Sequence, residues 1–328
     1  MNIEQLAEDL YCFPIALPNN PLKSLNCYVI KPQEGRCLLV DSGFNRPECA
    51  ASLLSGIREL GLVPENTDVF FTHLHADHTG NGALLKEMGF TIYMSRIDQE
   101  VRLANTLTRL EPRFRLEGMS DEILQRSTSE SPARRFAPGH FVPVVLDAGD
   151  ELSYGGHRLE CVLTPGHTPG HMCLYDRTDK TMFLGDHVLF DITPNVCVWP
   201  DSKDSLGDYL ENLRAVKEYE VIHPLPAHRG KGAVSFAERI DQLLAHHESR
   251  LNEAYEIILR HPGITAYDTA GHMTWKVRGG SGTWAEFPSG QRWFAVGEAI
   301  AHIDHLTALG RIRRIVSDDG RAFYEAAE

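Results

Sequence analysis

Apolar residues in the first hundred positions fall alternately into short continuous runs and into helical spacing, which predicts strands separated by helices. Leu25 to Ile30 follows a break at Asn19, Asn20 and Pro21, and Cys37 to Val40 is an apolar run that stops at Asp41, Ser42 and Gly43. Leu53, Leu54, Ile57 and Leu60 share one helical stripe within Glu48 to Leu60, and Gly61 supplies the stop. Asp68 to Phe71 reads as a strand, Gly82 to Met88 as a helix and Thr91 to Met94 as a strand. From about 97 to 135 the pattern turns helical and rich in arginine (Arg102, Arg109, Arg113, Arg115, Arg126), an insertion too long for an ordinary connection. A second set of strands is expected at Val142 to Leu146, Arg158 to Leu163, Met172 to Tyr175 and Thr181 to Leu184. A helix over Ser205 to Val216 and a last strand at Val221 to His223 follow.

From about Val234 a long helical stretch begins, and beyond His261, Pro262 and Gly263 the composition changes. Val296 to Leu309 reads as a helix, and Ile312 to Val316 with Ala322 to Ala326 as a hairpin around Asp318, Asp319 and Gly320. Helices followed by a small hairpin suggest a compact winged-helix-like module. The expected division is therefore a body over 1–240, carrying the insertion at about 97–135, and a C-terminal domain over 241–328. Trp199 and Trp293 are candidates for a pocket or an interface.

Composition narrows the class. With 42% hydrophobic and 23% charged residues the chain is an ordinary globular one. A net charge of −13 disfavours nonspecific contact with a phosphate backbone. Arg311, Arg313 and Arg314 could still reach nucleic acid locally, or simply complement a helix end. No apolar run approaches the roughly 20 residues that span a bilayer. The opening MNIEQLAEDLYCF lacks the basic, then apolar, layout of a secretory leader, so a cytoplasmic location is expected. The 7 cysteines form no CxxC pair and read as reduced, buried small hydrophobes. The expected partners are a small-molecule substrate, no membrane, no nucleic acid, and a homodimer as the assembly to test.

The chemistry concentrates in Thr72-His73-Leu74-His75-Ala76-Asp77-His78-Thr79-Gly80. Imidazoles and a carboxylate at this density, directly after a strand, suit zinc, manganese or iron better than any packing role. His73 and His75 can reach one ion while Asp77 and His78 turn to a neighbour. Three further ligand-type residues follow later strands: His167 in TPGHTPGH, Asp186 in FLGDH and His228 in PLPAHRG. Strand ends are where an α/β sheet exposes its site. Taken singly, each has a plainer reading as a turn histidine, a capping aspartate or a surface histidine. His171, His187 and His223 read as supporting or structural groups, and Asp41 as a buried carboxylate that orients a histidine or the ligand loop.

These motifs, in this order, resemble the metallo-β-lactamase superfamily, over about residues 8 to 240. The resemblance implies a four-layer αβ/βα sandwich and two divalent ions, zinc first, with iron and manganese admitted. It assigns His73, His75 and His167 to one ion, Asp77, His78 and His228 to the other, and Asp186 to both. The implied chemistry is hydrolysis by a bridging hydroxide, with Asp77 steering the attack on a small ester, thioester or lactone. The alternatives are hydrolysis of RNA or another phosphodiester, and a persulfide dioxygenase-like oxidation with one iron. The tail, HHESRLNEAYEIILRHPGITAYD with AIAHIDHLTALGRIRRI, is similar to the winged-helix-like domain of a subgroup described loosely as glyoxalase II-like. The glyoxalase II enzymes proper end in a different, glutathione-binding helical domain.

Overall fold

The computed structural model describes residues 2–104, 106–230, 232–275 and 283–327. Seven strands form the first sheet, in chain order across it: β1 (Glu4–Gln5), β2 (Leu10–Ala16), β3 (Ser24–Ile30), β4 (Cys37–Val40), β5 (Thr67–Phe71), β6 (Thr91–Ser95) and β7 (Val144–Leu146). β1 to β4 pair antiparallel, and β4 to β7 pair parallel. The parallel strands need crossovers, which the helices α1 (Pro47–Glu59), α2 (Ala76–Thr79) and α3 (Gly82–Glu87) help to supply. The second sheet runs in the order β12-β11-β10-β9-β8, with β8 (Glu151–Tyr154), β9 (His157–Leu163), β10 (Met172–Asp176), β11 (Thr181–Gly185) and β12 (His223–Pro226).

Alternation along the strands explains how the layers hold. In β3, Leu25, Cys27 and Val29 join a core with Phe13, Leu39, Val69 and Phe71, covered by Cys49, Leu53 and Ile57 of α1 and Leu85 of α3. The intervening Tyr28 and Ile30 face the other way and join Leu38, Val40 and Phe70 against Leu159, Cys161, Met172, Leu174 and Phe183 of the second sheet. The first sheet is thus buried on both faces, which is why its central strands read as continuous apolar runs. The result is an α/β sandwich.

The remaining helices are α4 (Arg96–Leu103), α5 (Thr106–Leu116), α6 (Asp121–Glu130), α7 (Pro132–Arg135), α8 (Ser205–Lys217), α9 (Phe236–Arg260), α10 (Ala266–His272) and α11 (Ser289–Ala308). β13 (Ile312–Val316) and β14 (Ala322–Ala326) form the expected hairpin. Two compact units emerge. One comprises Met1–Arg102, Phe136–Pro194 and Ala215–Arg239, and the other Leu103–Arg135, Asn195–Arg214 and Ile240–Glu328. A boundary near 240 separates only the last stretch: the helices after Leu103 and the segment from Asn195 also group with the C-terminal part. Among the described residues no helix is long and apolar enough to cross a membrane.

Three expectations need correction. The run ending at Leu146 belongs to the first sheet, parallel to β6, because pairing partners are set by the crossover and not by nearness in sequence. The last strand of the body lies at His223–Pro226, two residues later than its apolar run; an edge position tolerates Pro224 and Pro226 there. Trp199 and Trp293 are both buried, and Trp293 stacks on Phe114 with ring centroids 3.9 Å apart and an interplanar angle of 8°.

Candidate metal centre

β5 is central and parallel, so its C-terminal end delivers the chain directly into Thr72 to His75 and the single turn of α2. Three other strand ends meet it: the loop after β9, which carries His167, the end of β11, which carries Asp186, and the loop after β12, which carries His228. Every candidate ligand lies in the first compact unit.

The donor atoms converge in overlapping sets, each within 4.8 Å: His73, His75 and His167; His73, His78 and Asp186; Asp77, His78 and His228. The two oxygens of Asp186 face different histidines. Oδ1 lies 3.7 Å from His78 Nε2 and 3.5 Å from His228 Nε2, whereas Oδ2 lies 3.6 Å from His167 Nε2. Asp77 Oδ2 lies 3.4 Å from His228 Nε2 and 3.9 Å from His78 Nε2. These spacings are longer than hydrogen bonds. His78 Nε2, His228 Nε2 and Asp186 Oδ1 are buried with no hydrogen-bond partner, an arrangement costly for a polar core and natural for lone pairs that surround a cation. The residues therefore fit one or two divalent ions.

The outer nitrogens fix which ring atom points inward. His78 Nδ1 donates to Asp41 Oδ2 at 2.7 Å, and His228 Nδ1 donates to the Ser24 carbonyl at 2.9 Å. The Thr72 hydroxyl donates to Asp41 Oδ2 at 2.9 Å, so it accepts from His73 Nδ1 at 3.1 Å. Each ring is left with its Nε2 lone pair turned to the centre. Asp41 Oδ1 also accepts from Thr72 N at 2.9 Å. The carboxylate expected to orient a histidine thus contacts both His78 and the backbone of the loop that carries the candidate ligands.

His171 supports Asp186. Its Nδ1 donates to Thr164 Oγ1 at 2.7 Å, and its Nε2 accepts from Asp186 N at 3.1 Å. Gly185 has φ +50°, and a Cβ there would stand 2.5 Å from His171 Nε2 and 2.9 Å from Thr72 Cβ, so only glycine lets the Asp186 backbone pass this ring. His223 is exposed in the edge strand β12 and takes no part.

Charge is divided unequally. Burial and the neighbouring His167 push His75 down to about 3, and burial with the adjacent imidazoles holds His73 low as well. For His78 and His228 burial also opposes the charge, but the nearby carboxylates prevail and raise both. Burial opposes ionisation of Asp77, yet His78 and His228 bring it down to about 2. The nearby carboxylates thus favour a proton on these two imidazoles, and a cation would compete with it for the same Nε2 lone pairs.

The expected arginines of the insertion have protein partners. Arg109 forms a two-pronged pair with Asp201, Arg113 bridges Glu117 and Asp304, and Arg115 pairs with Asp121. Asp98, unremarked in the sequence, is fully buried beside the ligand loops.

Known proteins point the same way. Residues 21–224 match the family described as the metallo-beta-lactamase superfamily, and residues 286–327 match that of a metallo-beta-lactamase-like C-terminal domain. A beta-lactamase-like protein 2 homolog of Caenorhabditis elegans is 25% identical over 80% of this chain and 77% of its own length. An atrochrysone carboxyl ACP thioesterase of Emericella nidulans is 27% identical over 65% of this chain, which spans about half (53%) of that protein. The crystal structure of a metallo-beta-lactamase family protein from Thermus thermophilus superposes with a TM-score of 0.81 at 25% identity, covering 98% of this chain and 100% of that one.

Proposed function

The chain belongs to the metallo-beta-lactamase superfamily, and on that premise we propose that it is a metal-dependent hydrolase of small esters or thioesters, with a binuclear centre. The observation that carries this reading is the divided aim of Asp186, one oxygen toward His78 and His228 and the other toward His167. In that reading His73, His75 and His167 would hold one ion, Asp77, His78 and His228 the other, and Asp186 would offer an oxygen to each. Two divalent ions, with zinc first and iron or manganese admitted, would supply a hydroxide nucleophile at neutral pH and positive charge for a developing oxyanion.

The chain's own residues do the rest. Asp41, Thr72 and the Ser24 carbonyl keep the rings of His78, His73 and His228 from turning. Asp77 stays ionised, so it accepts a hydrogen bond from the attacking water and aims it, and it has no proton to give a departing amine. A leaving group that departs as an anion, a thiolate or an activated alkoxide, suits such a site. The similarity to an ACP thioesterase supports the thioester choice.

We extend the reading to the architecture: a four-layer sandwich as the body, with α9 to α11 and the β13–β14 hairpin forming a winged-helix-like C-terminal module, supported by the order of helices followed by hairpin. The test of function is a screen of thioesters, lactones and short RNAs with metal-replete protein. Turnover of a thioester or lactone is the expected result, and cleavage of RNA alone overturns the proposal.

A further inference from the structure

Asp98 lies in the first turn of α4, and neither the motifs nor the ligand geometry requires it. It is nevertheless completely buried, and its carboxylate joins two loops that are remote in sequence. Oδ2 accepts from Leu74 N at 2.7 Å and from Thr168 Oγ1 at 2.7 Å, while Oδ1 accepts from Gly170 N at 2.6 Å. Leu74 lies between His73 and His75, and Thr168 follows His167, so the three bonds fall on the two loops that carry the three-histidine set. The fit is close: a Cβ at Gly170 would stand 2.4 Å from Asp98 N, 2.7 Å from Ser95 Oγ and 2.8 Å from Asp98 Oδ1.

The opposite half is secured by other groups. His78 rests on Asp41, His228 on the Ser24 carbonyl and the Asp186 backbone on His171. None of these contacts reaches Leu74 or Thr168. Burying a carboxylate is costly unless its acceptor positions are filled, and here three donors fill them, so the pairing of loops is enforced in both directions.

We propose that Asp98 is a positioning residue that fixes the three-histidine half of the centre, so that its loss weakens the ion at His73, His75 and His167 selectively. The inference rests on the binuclear reading above. Asp98→Asn keeps the shape but sets an amide N–H against donors where an oxygen had accepted. Thr168→Val, which removes a single one of the bonds, is the milder variant.

The experiment loads full-length wild type and each variant with cobalt(II), then follows metal content and visible absorption during competition with a chelator. His167→Ala and His228→Ala provide reference spectra for weakening of either half. Loss of a supporting contact of this kind costs about 10–100-fold in metal affinity. The expected result is that loss in Asp98→Asn, with a spectrum matching His167→Ala, and a smaller loss of the same type in Thr168→Val. An equal fall in both halves, or no fall, overturns the inference while leaving the centre intact. Should Asp98→Asn not fold, an unsplit response in Thr168→Val overturns it. Wild type that retains no cobalt overturns the binuclear reading and this inference together.

Discussion

Asp41 occupies a left-handed backbone conformation, φ 63°, immediately after β4, and its two oxygens hold Thr72 and His78 in place. Asparagine tolerates that conformation nearly as well as aspartate, so Asp41→Asn changes the charge with little backbone cost. Metal affinity or activity is expected to fall by about 10–100-fold, measured by chelator competition, with the overall fold retained by circular dichroism. A second expectation follows from the imidazoles. His78 and His228 are buried, which opposes their charge, but Asp186 and Asp77 raise both and Asp41 also raises His78, so a proton competes with an entering cation at each. Zinc binding should therefore release protons and strengthen as pH rises; titration calorimetry in two buffers of different ionisation enthalpy detects this, and equal heats in both would contradict it. At this scale the candidate ligand cluster was legible, because His and Asp at such density have few uses besides metal. Asp98 was not, because a single aspartate in RIDQEV looks like any first-turn acid, and its meaning depends on loops about 24 and 70 residues away.

The elements were legible where local chemistry decides them. The hairpin β13–β14 has the bounds expected around its Asp-Gly turn, whereas β7 pairs in the first sheet, against expectation, and β8, a four-residue strand, carries no signal of its own in the sequence. Nothing local distinguishes the partner of a short edge strand. Two networks tie elements together in ways open to measurement. Within the second unit Glu117 of the loop after α5 is buried and accepts from Tyr324 Oη of β14 at 2.8 and 2.9 Å and from Arg113 Nε at 2.7 Å. Tyr324→Phe withdraws a donor from a buried carboxylate and is expected to cost about 1.5–3 kcal/mol in urea unfolding. In the first unit, His157 at the start of β9 lies 2.6 Å from Asp176 and 3.1 Å from Asp9. Partial burial opposes its charge, but the two carboxylates raise it. A raised folded value means that the stabilisation is complete below the unfolded value of about 6.5 and disappears as pH climbs through the folded one. His157→Gln should flatten that part of the stability curve, and a curve parallel to wild type would refute the assignment.

At the scale of the molecule, the division into units was the least legible feature. A change of composition marks the approach to the C-terminal part and an arginine-rich helical pattern marks the insertion at about 97–135, but neither signal groups Leu103–Arg135 or Asn195–Arg214 with that part; the grouping depends on long-range packing such as Phe114 on Trp293 and Arg113 on Asp304. The grouping has a thermodynamic consequence. All seven candidate ligands belong to the other unit, so the free energy of metal binding is delivered to one unit alone. A ligand that binds only the folded form stabilises it by about 2.7 kcal/mol when present at 100 times its dissociation constant. Separate units need not melt together, and a single midpoint then loses its meaning. Scanning calorimetry before and after chelator treatment is expected to show one transition that moves down when the metal is removed and returns on reloading. A second, unmoved transition would belong to the unit built from α5, α6, α10, α11 and the hairpin. Tyr324→Phe tells them apart: it should lower the metal-insensitive transition and leave the metal-sensitive one where it was. If the substitution and the chelator shift the same transition by the same route, the two units unfold as one cooperative body and the separation drawn from their packing does not extend to their stability.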